Sequence, residues 1–362
     1  MTFKESAQPG LVDAEVKVND SPVKNFFASL TGNQSLTGNG SGENTYRLSG
    51  GFQHANLFDR DHVMTVSFTT DPGDPSKVSL FGAYYQVPFY GTGMNLSGSV
   101  TSSDTNSGRV QQGAGVFDVS GSGLFAGVRL TKALTRINTL QQTVGVGLDD
   151  RHFRNSTTFN GSPIQPDVGS RVLSLQYTFR NEPAWGTVAG SLDYARNVGG
   201  GAGNTEADHV ANGGTLDWDA WRFNFETVIP SSGWQYAARL KGQYADKPLI
   251  PGEQFGLGGA NSVRGFADRV VSGDYGHQWS LEAMGPGFGD LQIRPVLFVD
   301  GGQVHALAGG GTTENLLSAG AGLRLSYQNL QVSLDLAQGI NRDSADTSGP
   351  STRMHLALYY RF

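Results

Sequence analysis

The chain contains no cysteine, which excludes a disulfide framework, thiolate catalysis and cysteine-ligated metals. It has no uninterrupted apolar run of the ~18–20 residues that a membrane-crossing helix needs, and its mean hydropathy is only −0.30. Charge is sparse, at 16% of 362 residues, and the net charge is −6. Without a basic stripe to follow a phosphate backbone, nucleic acid is not expected as a partner. The first residues, MTFKESAQPG, lack the apolar centre of a secretory signal. The seven histidines, His54, His62, His152, His209, His277, His305 and His355, show no HxxxH or HxH spacing, so no metal site is expected and each is read as a solvated or lumen residue. Carboxylate pairs such as Asp149-Asp150, Asp59/Asp61 and Asp71/Asp74 fit turn chemistry better than catalysis. There is no G-x-S-x-G elbow and no P-loop. Gly199–Gly201 and Gly309–Gly311 read as loop tips with no helix following. Neither an enzyme nor a cofactor is expected.

What the chain does have is glycine, 51 residues, aromatics, 10%, and a period of two that runs almost end to end. Met354, Leu356, Leu358, Tyr360 and Phe362 share one face, and Arg353, His355, Ala357, Tyr359 and Arg361 the other. Trp221, Phe223 and Phe225 alternate with Arg222, Asn224 and Glu226; Trp234, Tyr236, Ala238 and Leu240 alternate with Gln235, Ala237, Arg239 and Lys241. These segments run to about ten residues, as tilted membrane strands require, whereas sandwich strands are usually nearer five or six. Links alternate between short (Gln328-Asn329, Ser231–Gly233, Gly285–Gly289) and long (32–44, 101–115, 155–167, 199–215, 246–273, 342–352). That pattern predicts an all-β fold, a 16-stranded antiparallel transmembrane β-barrel. The predicted strands are 22–32, 45–56, 62–71, 77–88, 93–103, 116–130, 139–154, 168–181, 186–198, 216–229, 234–245, 274–285, 291–304, 314–327, 330–342 and 353–362. The barrel takes residues 21–362, and residues 1–20 form a lead-in in which Asp13–Val18 alternates like a strand.

In such a barrel the apolar faces meet outer-membrane lipid and the polar faces line water. Trp185, Trp218, Trp234, Phe89, Tyr90, Tyr360 and Phe362 are expected in the interfacial aromatic belts. Arg222, Glu226, Arg239, Lys241, Glu282 and Arg294 are expected as lumen charges.

The most specific segment is Pro251–Phe266, which ends in Ser262-Val263-Arg264-Gly265-Phe266 within the link after the eleventh strand. On the thirteenth strand, alternation turns Pro295, Leu297 and Val299 outward, so Phe298 and Asp300 face the lumen. There a carboxylate can take a guanidinium in a two-pronged grip. Gly265 permits a tight tip, Phe266 can pack on the wall, and Gly301 and Gly302 leave room for the loop.

Gln-Phe-Gly-Leu-Gly-Gly at 254–259 followed by Val263, Arg264, Gly265 and Phe266, together with Phe298, Asp300 and Gly302 in Phe-x-Asp-x-Gly, resembles the paired motifs of the outer-membrane superfamily of two-partner secretion transporters and barrel-assembly proteins. The wording Glu-Gln-Phe-x-Leu-Gly-Gly-x-x-Ser-Val-Arg-Gly-Phe is similar to the haemolysin-secretion-like, two-partner type. The resemblance implies a bacterial outer-membrane pore of type V secretion that exports an unfolded exoprotein client, with the loop between strands 11 and 12 folded inward. In that family, full-length members carry a plug helix, a linker and two POTRA domains; of these only a possible last POTRA strand remains in 1–20. The resemblance also implies a C-terminal signal, Tyr360 and Phe362, read by the barrel-assembly machinery. A barrel-assembly factor with a weak seam between its first and last strands, the barrel anchor of a patatin-like secreted lipase, and a diffusion porin remain as alternatives.

Overall fold

The structure is a computed structural model that describes residues 2–5, 12–15, 22–36, 44–75, 78–104, 107–112, 115–120, 122–155, 158–159, 162–163, 165–343 and 351–362. Sixteen strands form a closed barrel. They are β1 (Lys24–Ser35), β2 (Thr45–Leu57), β3 (His62–Thr70), β4 (Ser79–Phe89), β5 (Met94–Ser103), β6 (Gly123–Ala133), β7 (Gln141–Phe153), β8 (Val168–Asn181), β9 (Thr187–Asn197), β10 (Asp219–Ser231), β11 (Trp234–Tyr244), β12 (Tyr275–Met284), β13 (Arg294–Ala306), β14 (Thr312–Tyr327), β15 (Leu330–Asp343) and β16 (Thr352–Arg361). Each pairs antiparallel with its chain neighbours, and β16 closes on β1 from Arg353↔Ser35 to Arg361↔Phe27. Closure leaves no sheet edge, so every barrel strand finds backbone partners on both sides.

The period of two sets the two faces. On β8, Leu173 and Leu175 are exposed while Ser170, Val172 and Ser174 are buried. On β13, Leu297 and Val299 are exposed while Val296, Phe298, Asp300 and Val304 are buried. Turns such as 232–233 and 328–329 alternate with long connections such as 198–218 and 245–274, which gives the barrel one short-turn rim and one long-loop rim.

Four expectations need correction. The strand predicted at 116–130 begins at Gly123, because Gly115–Ser120 pairs with Ser107–Gln112 in a separate hairpin. A six-residue helix, α1 (Glu206–Ala211), follows Gly199–Gly201, and its first turn is capped by the Thr205 hydroxyl, which accepts from the Asp208 amide at 3.2 Å. It is too short to show a 3.6-residue period. Trp218 is not a belt residue. It is wholly buried with Val172, Ala195, Ala220, Ala245 and Leu249 beneath the long loops. His209 and His355 are buried rather than solvated; the His209 ring lies against the carbonyl oxygens of Thr215 and Gly169 at 3.1 and 2.9 Å.

The other belt candidates are exposed. In the lead-in, Val12–Glu15 pairs with Thr2–Glu5; Val16, Lys17 and Val18 of the expected strand lie outside the described residues.

Candidate functional site, the loop between strands eleven and twelve

The loop 245–274 has a stem and a tip. In the stem, Phe255–Leu257 pairs with Val271–Gly273. Phe255, Leu257, Val263 and Phe266 form one buried cluster with Val304 of β13 and Leu316 of β14. Gly302 matters here: a Cβ at that position would lie 3.0 Å from both terminal carbons of Leu257. Gly301 does not serve the loop. A Cβ there would meet the Trp279 ring at 2.5 Å, on the face it shares with exposed Leu297 and Val299.

At the tip, Arg264 is 5% exposed. Its Nε and Nη2 donate to Oδ2 and Oδ1 of Asp300 at 2.7 and 2.8 Å, the planar fork that suits a carboxylate. Nη1 lies 2.8 Å from Glu282 and 3.2 Å from Asp335, Nη2 donates to Ser280 at 3.3 Å, and the guanidinium carbon sits 3.4 Å from the centre of the Phe298 ring. Asp335 is itself gripped by both terminal nitrogens of Arg324 at 2.6 and 3.0 Å. Burial pulls the Arg264 pKa down. Its hydrogen bonds to Asp300 and the charges of Asp300, Glu282 and Asp335 more than reverse this and push it up, so the side chain stays cationic at any pH a cell meets.

Gly265 has φ +88°, and a Cβ on it would lie 2.9 Å from the Gly339 nitrogen, so only glycine seats here without strain. Its amide donates to His355 Nε2 at 3.1 Å, and its carbonyl accepts from the Ser351 hydroxyl at 2.8 Å. The Phe266 ring packs where a Cβ on Gly339 would come within 3.0 Å of it. Asn33 of β1 donates to the Phe266 carbonyl and to Asp268 at 3.3 and 2.9 Å, and Asp268 also accepts from Thr45 and Arg47 of β2. Ser262 bonds Gln278 of β12. From Ser262 to Asp268, the tip therefore touches strands from β12 round through the seam to β2.

The structure brings Val263, Arg264, Gly265, Phe266, Phe298, Asp300, Gly302 and Glu282 together. Arg239 joins them indirectly, linking Glu226 at 3.1 Å to Glu282 at 3.0 Å. Arg222 serves a different cluster, on Glu253 at 2.9 Å. Arg294 bonds the Gly285 carbonyl and Gln235 at 2.8 and 3.0 Å, away from the tip; Lys241 faces Asn224 across the β10–β11 ladder. Tyr360 and Phe362 stack edge-on at 4.7 Å and are exposed at the end of β16. The sequence reading missed Asp335, His355, Asn33 and Gly339 as contacts of the loop, and Asp268 and Glu253 as the loop residues that answer wall groups. Alternation placed Asp335 and His355 on the polar face, but nothing local marks them as loop partners.

A closed sixteen-stranded wall with an apolar outer face and a polar inner face has the architecture of an outer-membrane β-barrel. Over residues 13–325 the sequence matches the haemolysin secretion/activation protein family ShlB/FhaC/HecB, and the chain belongs to that family. It is 26% identical over 182 residues to the outer membrane transporter CdiB of Dickeya dadantii (strain 3937), a match covering 49% of this chain and 32% of that protein. The aligned part thus spans about a third of the curated relative's length. Among solved structures it is similar to CdiB from Escherichia coli, with TM-score 0.75 and 18% identity over 100% of this chain and 67% of the other. It is also similar to CdiB from Acinetobacter baumannii, with TM-score 0.71 and 20% identity over 94% and 60%. BamA from Haemophilus ducreyi lacking POTRA domains 1–3 shares the fold at TM-score 0.62 and 14% identity, over 95% and 71%.

Proposed function

We propose that this chain is the translocation pore of a two-partner secretion system in the bacterial outer membrane, and that it passes an unfolded exoprotein client through its lumen. The observation that carries this is the tip of the loop between β11 and β12, held by Arg264 among Asp300, Glu282 and Asp335. The span of its contacts supports placing the tip inside the barrel. The seven residues 262–268 extend at most ~24 Å, whereas the seven strands from β12 to β2 cover about 29 Å of wall at ~4.8 Å spacing. A segment that short meets so much wall from the concave side. It works as a removable obstruction: polar contacts hold it in place, and the channel it vacates is polar.

Arg222, Glu226, Arg239, Lys241, Glu282 and Arg294 then keep the pore wet and give an apolar client segment nothing to adhere to. No bond is made or broken in the client, so the reading calls for no catalytic group. The exposed outer face is the lipid contact, and the β16 end with Tyr360 and Phe362 is the part offered to the barrel-assembly machinery during biogenesis. The POTRA reading of residues 1–20 belongs to the same proposal.

The test is export. Cells lacking the native gene are given this gene and the exoprotein gene encoded beside it, and client is measured in the medium. Client appearing only when both are present supports the pore. Barrel insertion activity without client export, or a stable open conductance that ignores the loop, overturns it in favour of an assembly factor or a porin.

A further inference from the structure

The loop between β11 and β12 is held at two places, and the polarity of the two holds is reversed. At the tip, a loop guanidinium sits among wall carboxylates. At the stem, a loop carboxylate sits among wall guanidiniums. Glu253 is 3% exposed, and its Oε2 accepts from Arg151 of β7 at 2.8 Å and from Arg222 of β10 at 2.9 Å. Gln243 of β11 closes the cluster: its amide donates to the Glu253 carbonyl at 3.0 Å while its oxygen accepts from Arg222 at 2.8 Å.

The stem around Glu253 is a built structure. Ile250 is packed with Leu80, Phe125, Phe153 and Val168. A Cβ on Gly252 would lie 2.2 Å from the Phe153 ring. Asp274 accepts from the Leu249 and Leu307 amides at 2.7 and 2.6 Å. Arg269 ties the two arms by donating to the carbonyls of Pro251 and Gln254 at 2.7 and 2.9 Å. Between stem and tip lie Gly258 and Gly259, at φ +104° and +100°, consecutive positions that other residues enter only with strain.

We infer that the loop acts as two parts, a stem that stays fixed through Glu253 and a tip that swings about Gly258-Gly259, with Glu253 as the positioning residue that brings Arg264 back to its carboxylates. This rests on the proposed pore reading. Its physical content is effective concentration. A tip tethered to a fixed stem finds its site far more often than one on a free 30-residue connection, because closure probability falls as the tether lengthens. Loss of the stem hold therefore slows return of the tip without hastening its departure.

The test variant is Glu253→Gln. Both arginines converge on one oxygen of Glu253, and Oε1 has no hydrogen-bond partner among the described residues. The amide thus keeps an acceptor where the arginines point, removes the charge and puts its NH2 where Oε1 stood without a partner. Amide hydrogen exchange is measured in the purified chain, and single openings are recorded in planar bilayers.

In the parent chain, stem amides 253–257 and 271–273 should exchange at least tenfold more slowly than tip amides 262–268. Arg264→Gln should speed exchange in the tip alone and raise the rate of opening. Glu253→Gln should speed exchange in the stem and lengthen each opening about tenfold, the scale of one charge-assisted hydrogen bond, with the opening rate unchanged. Arg151→Gln and Arg222→Gln each remove one donor and should lengthen openings by a smaller factor; they decide the matter if Glu253→Gln does not fold. Equal exchange in stem and tip overturns the division. So does an opening rate raised by Glu253→Gln as much as by Arg264→Gln. If Arg264→Gln loosens only the tip and export is unaffected, the division stands and the export reading fails.

Discussion

Arg264→Ala removes the guanidinium and leaves Asp300, which is fully buried, with the Arg264 backbone amide at 3.2 Å as its remaining donor from the loop. Glu282 keeps Arg239 and Asp335 keeps Arg324, so Asp300 bears most of the loss. Stranding one partner of a buried, hydrogen-bonded ion pair costs about 3–5 kcal/mol. At 1.4 kcal/mol per decade, the seated tip should lose roughly a hundredfold or more in occupancy relative to the released tip. The barrel ladder does not depend on this contact, so the variant should still fold.

The assay pairs single-channel conductance in planar bilayers with client export from cells. The rate of opening and the current noise should rise, and export should fall. Arg264→Lys should not rescue, because an ammonium cannot make the fork to Asp300. Arg264→Ala with Asp300→Ala should be milder than either alone, since neither charge is then stranded, and the coupling should reach about 2–3 kcal/mol. A folded Arg264→Ala barrel with parental conductance and parental export would refute the reasoning. Strictly additive single effects would do the same.

Other outcomes follow from the same geometry. Gly265→Ala leaves every charge in place but puts a side chain at φ +88° with its Cβ 2.9 Å from Gly339; the strain of about 1–2 kcal/mol plus that contact should raise the opening rate in bilayers as Arg264→Ala does. His355→Ala removes the acceptor of the Gly265 amide, a loss of about 1–3 kcal/mol for a buried unpaired donor, and should appear as a smaller rise in opening rate. Leu175→Arg places a charge on the exposed face in the middle of β8 and should destabilise the folded barrel by about 2–4 kcal/mol, read by urea titration in lipid vesicles, with gating of the folded fraction unchanged.

The sixteen strands were readable because a half-buried strand writes its two faces into neighbouring residues, and Leu173 to Val299 say the same thing locally. Arg264 and Asp300 were readable because each sits in a short motif whose glycines and aromatics have no simpler use. The rest of the site is non-local. Asn33 meets Arg353 across 320 residues of chain, and the Gly265 amide meets His355 across 90. Alternation could place those residues on the polar face but not under the loop tip. Trp218 was misread for a related reason. An aromatic at a strand end has the same sequence surroundings whether lipid covers it or a folded loop does. The helix at Glu206–Ala211 is shorter than two turns, so periodicity had nothing to measure.

The chemistry of the two holds explains why the tip is ionic at all. An apolar plug of equal area would be held by burial in proportion to that area, and once released it would present sticky surface to the passing client. A buried ion pair behaves differently. Its Coulomb attraction is large, the cost of stripping water from both charges is comparable, and the net is small when both can return to water. Arg264 and its three carboxylates are therefore strict about position and cheap to separate together, provided water enters as they part. The stem adds an apolar anchor to its own ion pairs at Glu253: Leu249 and Ile250 are wholly buried, and such burial favours staying put. The tip's apolar share is Val263, Phe266 and Ala267. A stem that adds buried apolar side chains to its ion pairs, joined to a tip whose position is set by Arg264 and its carboxylates, is the distribution a returning gate requires, with Gly258-Gly259 between the two.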